Sequence, residues 1–268
     1  MYDIHTFYAL PFKLAKDILV VPLTHIINKS LLSGTFPSSW KVGRVTPVWK
    51  KGPRDDWNNY RPISCLSIPA KILEACAKSQ IADFFERNNL FGTGQHGFRP
   101  HRSTTSALVA MTSAWTDAVD RNHNAGALAF DLSSAFDTVD VNILCSKLAI
   151  YGFDTVSLSW IRSYLTNRHQ FVQVGNIRSK TLKVNTGCPQ GSVLSPILFI
   201  ILTADIEDWV QHSELSSYAD DITATATGLT PTDVIVKLQK SAHTILSFFA
   251  SNGLVVNTNK TVFLFFGS

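Results

Sequence analysis

Two adjacent aspartates stand in the tetrapeptide Tyr218-Ala219-Asp220-Asp221, between two strand-like runs. This pattern predicts a hairpin that carries two carboxylates at its tip. Carboxylates held side by side repel each other unless a cation neutralises them. Magnesium suits such a pair, because it binds one or two carboxylates and takes further ligands from phosphate. The hairpin is therefore a candidate phosphoryl-transfer site, and the alternative interpretation is a solvated surface turn.

A third aspartate, Asp131, lies in residues 126–133, which alternate like a strand. Large residues occupy one face of this strand, and small residues share the face of Asp131. We expect the large face to pack on helices and the small face to leave room for a ligand. Asp131 is far from Asp220 in sequence, so only the fold can bring the two together. Together they would supply the carboxylates that a two-metal mechanism needs.

A glycine-flanked turn, residues 186–192, lies between Asp131 and the aspartate pair. Its backbone can approach a flat ligand closely, because glycine carries no side chain. Ser192 can cap the apolar helix that we predict at about residues 192–209. The other interpretation is an ordinary loop that enters a buried helix.

The distribution of charge favours a polyanionic partner. The chain has 24 basic and 20 acidic residues, a net charge of only +4. Between Lys41 and Arg61, however, six residues are basic and two are acidic. A second basic patch, residues 96–102, contains Arg99 and Arg102. A locally basic surface on a nearly neutral chain suits a protein that holds a polyanion on one face, and solvated charged loops are the alternative.

The periodicity of the chain predicts an α+β fold. Helices are expected at about residues 14–32, interrupted or bent at Pro22, and at 70–88, 104–121, 139–150, 155–166 and 231–252. Residues 33–69 are rich in glycine and proline and predict short strands and turns. A hairpin is expected over residues 171–186 and a last strand over 262–266. Antiparallel hairpins mixed irregularly with helices are typical of the α+β class.

Cysteines and apolar segments argue against the secreted and membrane classes. The four cysteines are scattered, which predicts neither a disulfide framework nor a zinc site. The N-terminus lacks the pattern of a signal peptide. The longest apolar run, residues 197–202, is too short to span a bilayer. We expect an intracellular, soluble chain, in the nucleus or the cytoplasm.

Seven segments of the sequence resemble reverse transcriptases in order and spacing. FDLSSAFD (130–137), GCPQGS (187–192) and YADD (218–221) resemble palm motifs A, B and C. Residues 40–47, 59–64 and 95–104 are similar to finger motifs of non-LTR (LINE-type) retrotransposon enzymes, and residues 253–261 resemble motif D. The resemblance runs from about residue 33 to the end of the chain.

This resemblance implies a right-hand polymerase palm, an antiparallel sheet backed by helices, with an N-terminal fingers subdomain. The implied organisation is a helical lead-in, residues 1–32, followed by a reverse transcriptase domain, residues 33–268. Within that domain, residues 33–125 would be mainly fingers and residues 126–268 mainly palm. In this interpretation the thumb is absent, and both the thumb and an endonuclease are expected on a longer element protein.

The resemblance also implies the metal ligands. Asp131 and Asp220 would be the principal ligands, with the carbonyl of Leu132 as a further ligand and Asp221 as the third carboxylate. The implied cofactor is a pair of Mg²⁺ ions, with Mn²⁺ as an alternative.

Further residues would contact the nucleotide or the template. The implied nucleotide-binding residues are Lys50, Lys51, Arg61, Phe136, Gln190 and Lys260. Phe136 would lie under the sugar and clash with a 2′-hydroxyl, and Lys260 would approach the phosphates. Arg99 and Arg102 would bind template phosphates, a contact that weakens as salt rises.

The implied function is that of an RNA-directed DNA polymerase, which extends a DNA primer on an RNA template with dNTPs. Two alternatives stay open. One is a truncated, inactive relic that binds nucleic acid, and the other is a related palm enzyme that makes RNA. Magnesium-dependent primer extension separates the first alternative from a polymerase, and the choice between dNTPs and rNTPs separates the second.

Overall fold

The computed structural model describes residues 10, 12 and 14–267. The chain forms two compact units, each built from two stretches of sequence. The first unit is Met1–Ser79 with Cys145–Ser195, and the second is Gln80–Leu144 with Pro196–Ser268. Of the predicted lead-in, residues 1–9, 11 and 13 lie outside the described residues.

The helices and strands agree closely with the expected elements. The helices are α1 (Lys16–Leu32), α2 (Ile68–Arg87), α3 (Thr104–Asp120), α4 (Val141–Ile150), α5 (Thr155–Leu165), α6 (Ser195–Leu202), α7 (Ile206–Trp209) and α8 (Pro231–Ser251). The strands are β1 (Val42–Trp49), β2 (Tyr60–Cys65), β3 (Asn124–Phe130), β4 (Arg168–Val174), β5 (Ile177–Arg178), β6 (Leu182–Val184), β7 (Glu214–Tyr218), β8 (Asp221–Gly228) and β9 (Val262–Phe266). α1 runs through Pro22 without interruption, and the predicted bend there stays a prediction.

The first unit contains a sheet in the order β2-β1-β4-β5, with β6 also paired to β4. β1 runs antiparallel to β2 but parallel to β4. Helices α1 and α5 pack together, and the Trp160 indole N–H donates to Ser30 Oγ over 3.0 Å. Phe36 fills the space beside them, with its ring in edge contact with Trp160 and Tyr164.

The second unit contains an antiparallel sheet in the order β7-β8-β3-β9. Helix α8 covers one face, where Phe130 of β3 contacts Phe249 edge to face. Gly126 leaves space on that face for Val234 and Leu238 of α8. Helix α3 packs on the opposite face, where Trp115 stacks on Phe266 at 4.6 Å between ring centroids. The predicted antiparallel sheet backed by helices is confirmed.

One predicted helix is wrong in its extent. The expected helix at residues 192–209 is two shorter ones, α6 and α7, separated by a turn at residues 203–205. Pro196 lacks a backbone N–H and restricts the residue before it, which limits how far α6 extends upstream. At the other end, the Thr203 hydroxyl approaches the carbonyls of Phe199 and Ile200 at 3.4 Å, a local bond that competes with helix continuation.

The predicted boundary between fingers and palm, at residues 125 and 126, stays a prediction. The two compact units are divided at other positions, inside α2, α4 and α6. Across the described residues, no helix combines the length and the apolar character that a membrane crossing requires.

Candidate active site

The aspartate pair lies on the hairpin of β7 and β8 in the second unit. Tyr218 pairs with Asp221 across the hairpin, so Ala219 and Asp220 form its two-residue turn. Ala219 has a φ of 61°. This left-handed conformation costs a residue with a side chain about 1 kcal/mol. The predicted hairpin is present, and its turn is strained.

Asp131 reaches this hairpin through the register of β3 and β8. Phe130, the last residue of β3, lies opposite Ile222. Asp131 follows it directly, on the side of Asp221, and its charge acts on the Asp221 carboxyl. The side chain of Asp131 is 28% exposed, so a ligand has access to it. The structure therefore brings the three predicted carboxylates together.

The three carboxylates act on one another electrostatically. Burial raises the pKa of the Asp221 carboxyl, and the negative charges of Asp220 and Asp131 raise it further. The Lys260 ammonium partly offsets this, because a nearby cation favours the charged carboxylate. The cluster thus carries repulsion that a bound cation would relieve.

Lys260 contacts Asp131 directly. Its Nζ lies 3.1 Å from Asp131 Oδ2. The preceding segment is fixed to the end of β3, since the Asn257 N–H donates to the Asp131 carbonyl and the Ser133 N–H donates to the Val255 carbonyl, both over 2.7 Å. Lys260 therefore lies at the carboxylates, and its predicted contact with nucleotide phosphates stays a prediction.

Leu132 lies within the same short pairing. It is buried and forms a bridge with Val256. The two hydrogen bonds around this bridge use the carbonyls of Asp131 and Val255. Neither bond uses the Leu132 carbonyl, the oxygen that we expect to bind metal.

The chemistry of the cluster fits a hard divalent cation. Its donors are carboxylate oxygens, which Mg²⁺ and Mn²⁺ prefer. A cationic group already stands at Asp131, in the form of the Lys260 ammonium. In the part of the chain that the structure describes, no three histidine, cysteine, aspartate or glutamate side chains are already arranged as a metal site. A divalent ion held by these carboxylates would take further ligands from a bound phosphate and water.

Phe136 lies close to the carboxylates in sequence and within the same unit. It is half-buried, and its ring centroid lies 5.1 Å from that of Phe199 in α6. Ser134, between Asp131 and Phe136, has a φ of 51°, so the chain turns sharply after β3. This contact holds one side of the Phe136 ring against the core.

The predicted phosphate-binding cations of the first unit lie on one hairpin. Lys50 and Lys51 follow β1, and Arg61 lies in β2 opposite Val48. All three are exposed. The loop that carries Gln190 joins the same strand, because the Ser64 N–H donates to the Gln190 carbonyl over 2.7 Å. The first unit therefore brings Gln190 and these cations onto neighbouring segments.

Arg99 and Arg102 make contacts within the second unit. Arg99 forms a two-point ion pair with Glu86, with Nε–Oε1 and Nη2–Oε2 distances of 2.9 and 2.7 Å. Its side chain is only 9% exposed. Arg102 donates to the carbonyls of Thr93 and Gln95. Template binding by these arginines stays a prediction, and for Arg99 it would require an exchange of partners.

Sequence reasoning missed Glu74, which supports the loop that carries Gln190. Glu74 is fully buried in the first unit, and its Oε2 accepts from the Ser192 hydroxyl and the Val193 N–H over 2.9 and 2.8 Å. The Tyr164 hydroxyl lies 2.6 Å from Ser192 Oγ. Burial raises the pKa of the Glu74 carboxyl. The available signal was a carboxylate beside Leu73 in the apolar stripe of α2, an unusual position for glutamate.

Ser192 also acts at the start of the following helix, as predicted. Its Oγ accepts the N–H groups of Leu194 and Ser195 over 3.0 and 3.1 Å. Gly191 has a φ of 96°, and a side chain there would press on the Ser64 carbonyl. The glycine and the serine thus fix the loop between Gln190 and α6.

Sequence comparison places this chain among reverse transcriptases. Residues 48–265 match the family described as reverse transcriptase (RNA-dependent DNA polymerase). A probable RNA-directed DNA polymerase from transposon BS of Drosophila melanogaster is 30% identical over 251 residues. The RNA-directed DNA polymerase from mobile element jockey of Drosophila funebris is 28% identical over 246 residues. These alignments cover 91% and 88% of this chain but only 28% and 26% of the relatives.

The fold is also found in solved structures. Apo telomerase from Candida tropicalis, truncated from the C-terminal domain, superposes with a TM-score of 0.63 at 13% identity. The alignment covers 86% of this chain and 51% of the telomerase chain. This similarity concerns the fold alone and confirms the predicted α+β, right-hand polymerase class. The predicted resemblance to non-LTR retrotransposon reverse transcriptases is confirmed by the sequence matches.

Proposed function

Because this chain belongs to the reverse transcriptase family, we propose that it carries the catalytic core of an RNA-directed DNA polymerase from a non-LTR retrotransposon. The observation that supports this most is the register of β3 and β8, which aligns Asp131 with Asp221 beside the Asp220 turn. The chain spans about a quarter of the length of the curated relatives named above. The activity of the whole protein is therefore part of the proposal.

The proposed chemistry is two-metal nucleotidyl transfer. Asp131 and Asp220 are the principal ligands of two Mg²⁺ ions, or of Mn²⁺ in their place, with Asp221 and the Leu132 carbonyl as further ligands. When bound, such ions neutralise phosphate oxygens and make the attacking hydroxyl easier to deprotonate. The carboxylates orient these charges, and Lys260, whose contact with Asp131 supports this role, approaches the phosphates. The protein itself contributes position and charge rather than a covalent intermediate.

The proposed substrates are a DNA primer, an RNA template and dNTPs. Lys50, Lys51 and Arg61 hold the triphosphate, and their exposure on one hairpin supports this role. Gln190 lines the nucleotide pocket, and Phe136 lies under the sugar. Arg102, with Arg99 after a change of partners, contacts template phosphates. A telomerase from Candida tropicalis with this fold has been solved in complex with a fragment of telomeric RNA, which is consistent with an RNA partner here.

Primer extension on an RNA template tests the proposal. The wild-type chain, Asp131→Ala and Asp220→Asn are compared with Mg²⁺ and dNTPs, with Asp208→Asn as the matched control. Asp208 is an exposed aspartate on α7 of the same unit. We expect Asp208→Asn to match wild type. The other two variants should lose at least about a thousandfold in incorporation rate, because each lacks a carboxylate that binds the metal ions at the reacting phosphate.

Each alternative gives a different result. Near-normal extension by Asp131→Ala or Asp220→Asn would contradict the assigned site. A wild-type chain that binds primer–template without extending it would favour the inactive, nucleic-acid-binding relic. Extension with rNTPs alone would favour a palm enzyme that makes RNA.

A further inference from the structure

Gln95 contacts the turn of the aspartate hairpin. Its Oε1 accepts the Ala219 N–H over 3.2 Å and the Gly97 N–H over 2.7 Å. Because both partners are N–H donors, the atom that faces them is the amide oxygen. The Gln95 side chain is buried, with 7% of the residue exposed. A buried acceptor thus holds the backbone of the residue that immediately precedes Asp220.

The backbone around Gln95 pairs with β7. Gln95 forms a parallel bridge with Ser217. The His96 N–H donates to the Ser217 carbonyl over 2.7 Å, and the Ser217 N–H donates to the Gly94 carbonyl over 2.8 Å. Residues 94–97 are therefore hydrogen-bonded to the edge strand of the sheet through an isolated bridge, and we call this segment the brace.

Two glycines allow the brace to lie this close. A Cβ at Gly94 would overlap the Leu215 carbonyl oxygen, and a Cβ at Gly97 would overlap the Ala219 amide nitrogen. The close approach of backbone to backbone explains why positions on both sides of Gln95 have no side chain. The sequence pattern assigned neither glycine a role.

The brace is itself fixed from both sides. The carboxylate of Glu207 accepts the N–H groups of Thr93 and Gly94 over 2.9 and 2.7 Å. On the other side, the guanidinium groups of Arg99 and Arg102 donate to the Gln95 carbonyl, each over 3.3 Å. Gln95 therefore acts from a rigid support rather than from a free loop.

From these contacts we propose that Gln95 is a positioning residue that holds Ala219 in its left-handed conformation and thereby sets the orientation of Asp220 and Asp221. Ala219 has a φ of 61°, which glycine adopts readily and alanine does not. Rotation of this residue would turn Asp220 away from the strand register that aligns Asp221 with Asp131. The inference rests on the proposed function, because it assigns Gln95 a purpose only if these carboxylates bind metal.

Four variants test this idea. Gln95→Met keeps the length of the side chain and removes the strong acceptor, whereas Gln95→Glu keeps an acceptor. Ala219→Gly removes the cost of the left-handed turn and is made alone and together with Gln95→Met. Gln239→Met, an exposed glutamine on α8 of the same unit, is the matched control. Two measurements are made on each: Mn²⁺ affinity by electron paramagnetic resonance of the free ion, and kcat and KM for single-nucleotide incorporation.

We expect Gln95→Met to weaken Mn²⁺ binding about tenfold, the size expected for the loss of one or two buried hydrogen bonds. The kcat of Gln95→Met falls by at least as much. Its KM for dNTP changes less than about threefold, because the substitution displaces the metal ligands and not the residues that bind the nucleotide. Ala219→Gly in the Gln95→Met background recovers most of the Mn²⁺ affinity, since glycine needs no support in this conformation. Gln95→Glu stays within about threefold of wild type, and Gln239→Met is indistinguishable from it.

Two results would overturn the inference. One is wild-type Mn²⁺ affinity in Gln95→Met, and the other is a double variant no better than Gln95→Met, which would mean that Gln95 serves only to fill the core. If Gln95→Met does not fold, loss of Mn²⁺ binding by folded Gln95→Glu also contradicts the idea. A wild-type chain that binds no Mn²⁺ would instead contradict the proposed function, and the inference with it.

Discussion

Lys260 Nζ lies 3.1 Å from Asp131 Oδ2, so the first of the proposed metal ligands is already paired with a cation. The two side chains are 64% and 28% exposed, and water therefore screens their attraction. A divalent ion that binds Asp131 must compete with this ammonium group or displace it toward the phosphates. The ion pair thus links metal binding to the position of Lys260.

Replacement of Lys260 by glutamine separates these two effects. We expect the Mg²⁺ concentration for half-maximal incorporation to fall about two- to fivefold, because the competing cation is gone and the pair is a screened one. The rate at saturating Mg²⁺ falls, since Lys260 no longer approaches the phosphates. The measurement is a magnesium titration of single-nucleotide incorporation.

Lys240→Gln is the control for this titration, because Lys240 is an exposed lysine on α8 of the same unit. It should behave like wild type. A Lys260→Gln variant with an unchanged magnesium midpoint would show that the ammonium group does not compete for Asp131.

Phe136 should control the choice of sugar. Its ring is held by Phe199 at 5.1 Å between centroids, so a smaller side chain would open space that the core does not refill. We expect Phe136→Val and Phe136→Ala to raise the ratio of kcat/KM for rNTPs to that for dNTPs at least about tenfold, whereas Phe136→Tyr keeps the ring and the discrimination. Unchanged ratios in folded Val and Ala variants would remove Phe136 from this role.

Local pattern was sufficient to predict most elements, but not the contacts between distant ones. Strand alternation predicted a strand over residues 126–133 with Asp131 inside it, whereas β3 ends at Phe130 and Asp131 follows it. Turn residues predicted the hairpin. The proximity of Asp131 to Asp221 depends on the register of β3 and β8, which no local signal specifies. The same holds for Gln95, whose partner Ala219 lies in a distant hairpin.

Charged side chains were the least predictable part of the site. Arg99 reads from sequence as a phosphate ligand, yet in the structure Glu86 of α2 occupies its guanidinium. Such a pairing depends on how a helix and a following loop pack. A basic residue in a loop has the same local pattern whether it binds nucleic acid or a carboxylate of the same chain.

The Arg99–Glu86 pair should contribute to acid sensitivity. Hydrogen bonds from Arg99 lower the pKa of the Glu86 carboxyl below its usual value. The stabilisation is therefore present above about pH 4.3, the unfolded pKa of glutamate, and is lost as pH falls through the lower folded value. We expect Arg99→Ala to cost about 2 kcal/mol in the free energy of unfolding at pH 7 and less at pH 3, measured by urea denaturation.

Arg87 offers a matched control on the same helix. It pairs with Asp83 one turn away, and their side chains are 75% and 51% exposed, so Arg87→Ala should cost less than about 0.5 kcal/mol. A contrary result has two parts. Arg99→Ala would lower the free energy of unfolding no more than Arg87→Ala does, and it would reduce the salt dependence of primer–template binding by about one phosphate contact. Arg99 would then be a template ligand instead.

Glu74 should give the opposite pH dependence. Burial is the largest influence on its carboxyl and raises the pKa, although hydrogen bonds from Val193 and Ser192 and the charge of Arg168 oppose it. A raised pKa means that folding favours the protonated acid. The contribution of Glu74 to stability is therefore complete below about pH 4.3 and is lost as pH rises through the folded value.

Glu74→Gln imitates the protonated acid at every pH. We expect the free energy of unfolding of this variant, relative to wild type, to increase as pH rises from about 4.3 toward the raised folded pKa of Glu74, in urea denaturation experiments between about pH 4 and pH 8. Glu214→Gln, at an exposed glutamate in β7, should show no such trend. A constant difference between Glu74→Gln and wild type over this range would mean that Glu74 keeps its ordinary pKa. Its interaction with Arg168 and the bonds to Ser192 and Val193 would then fully compensate its burial.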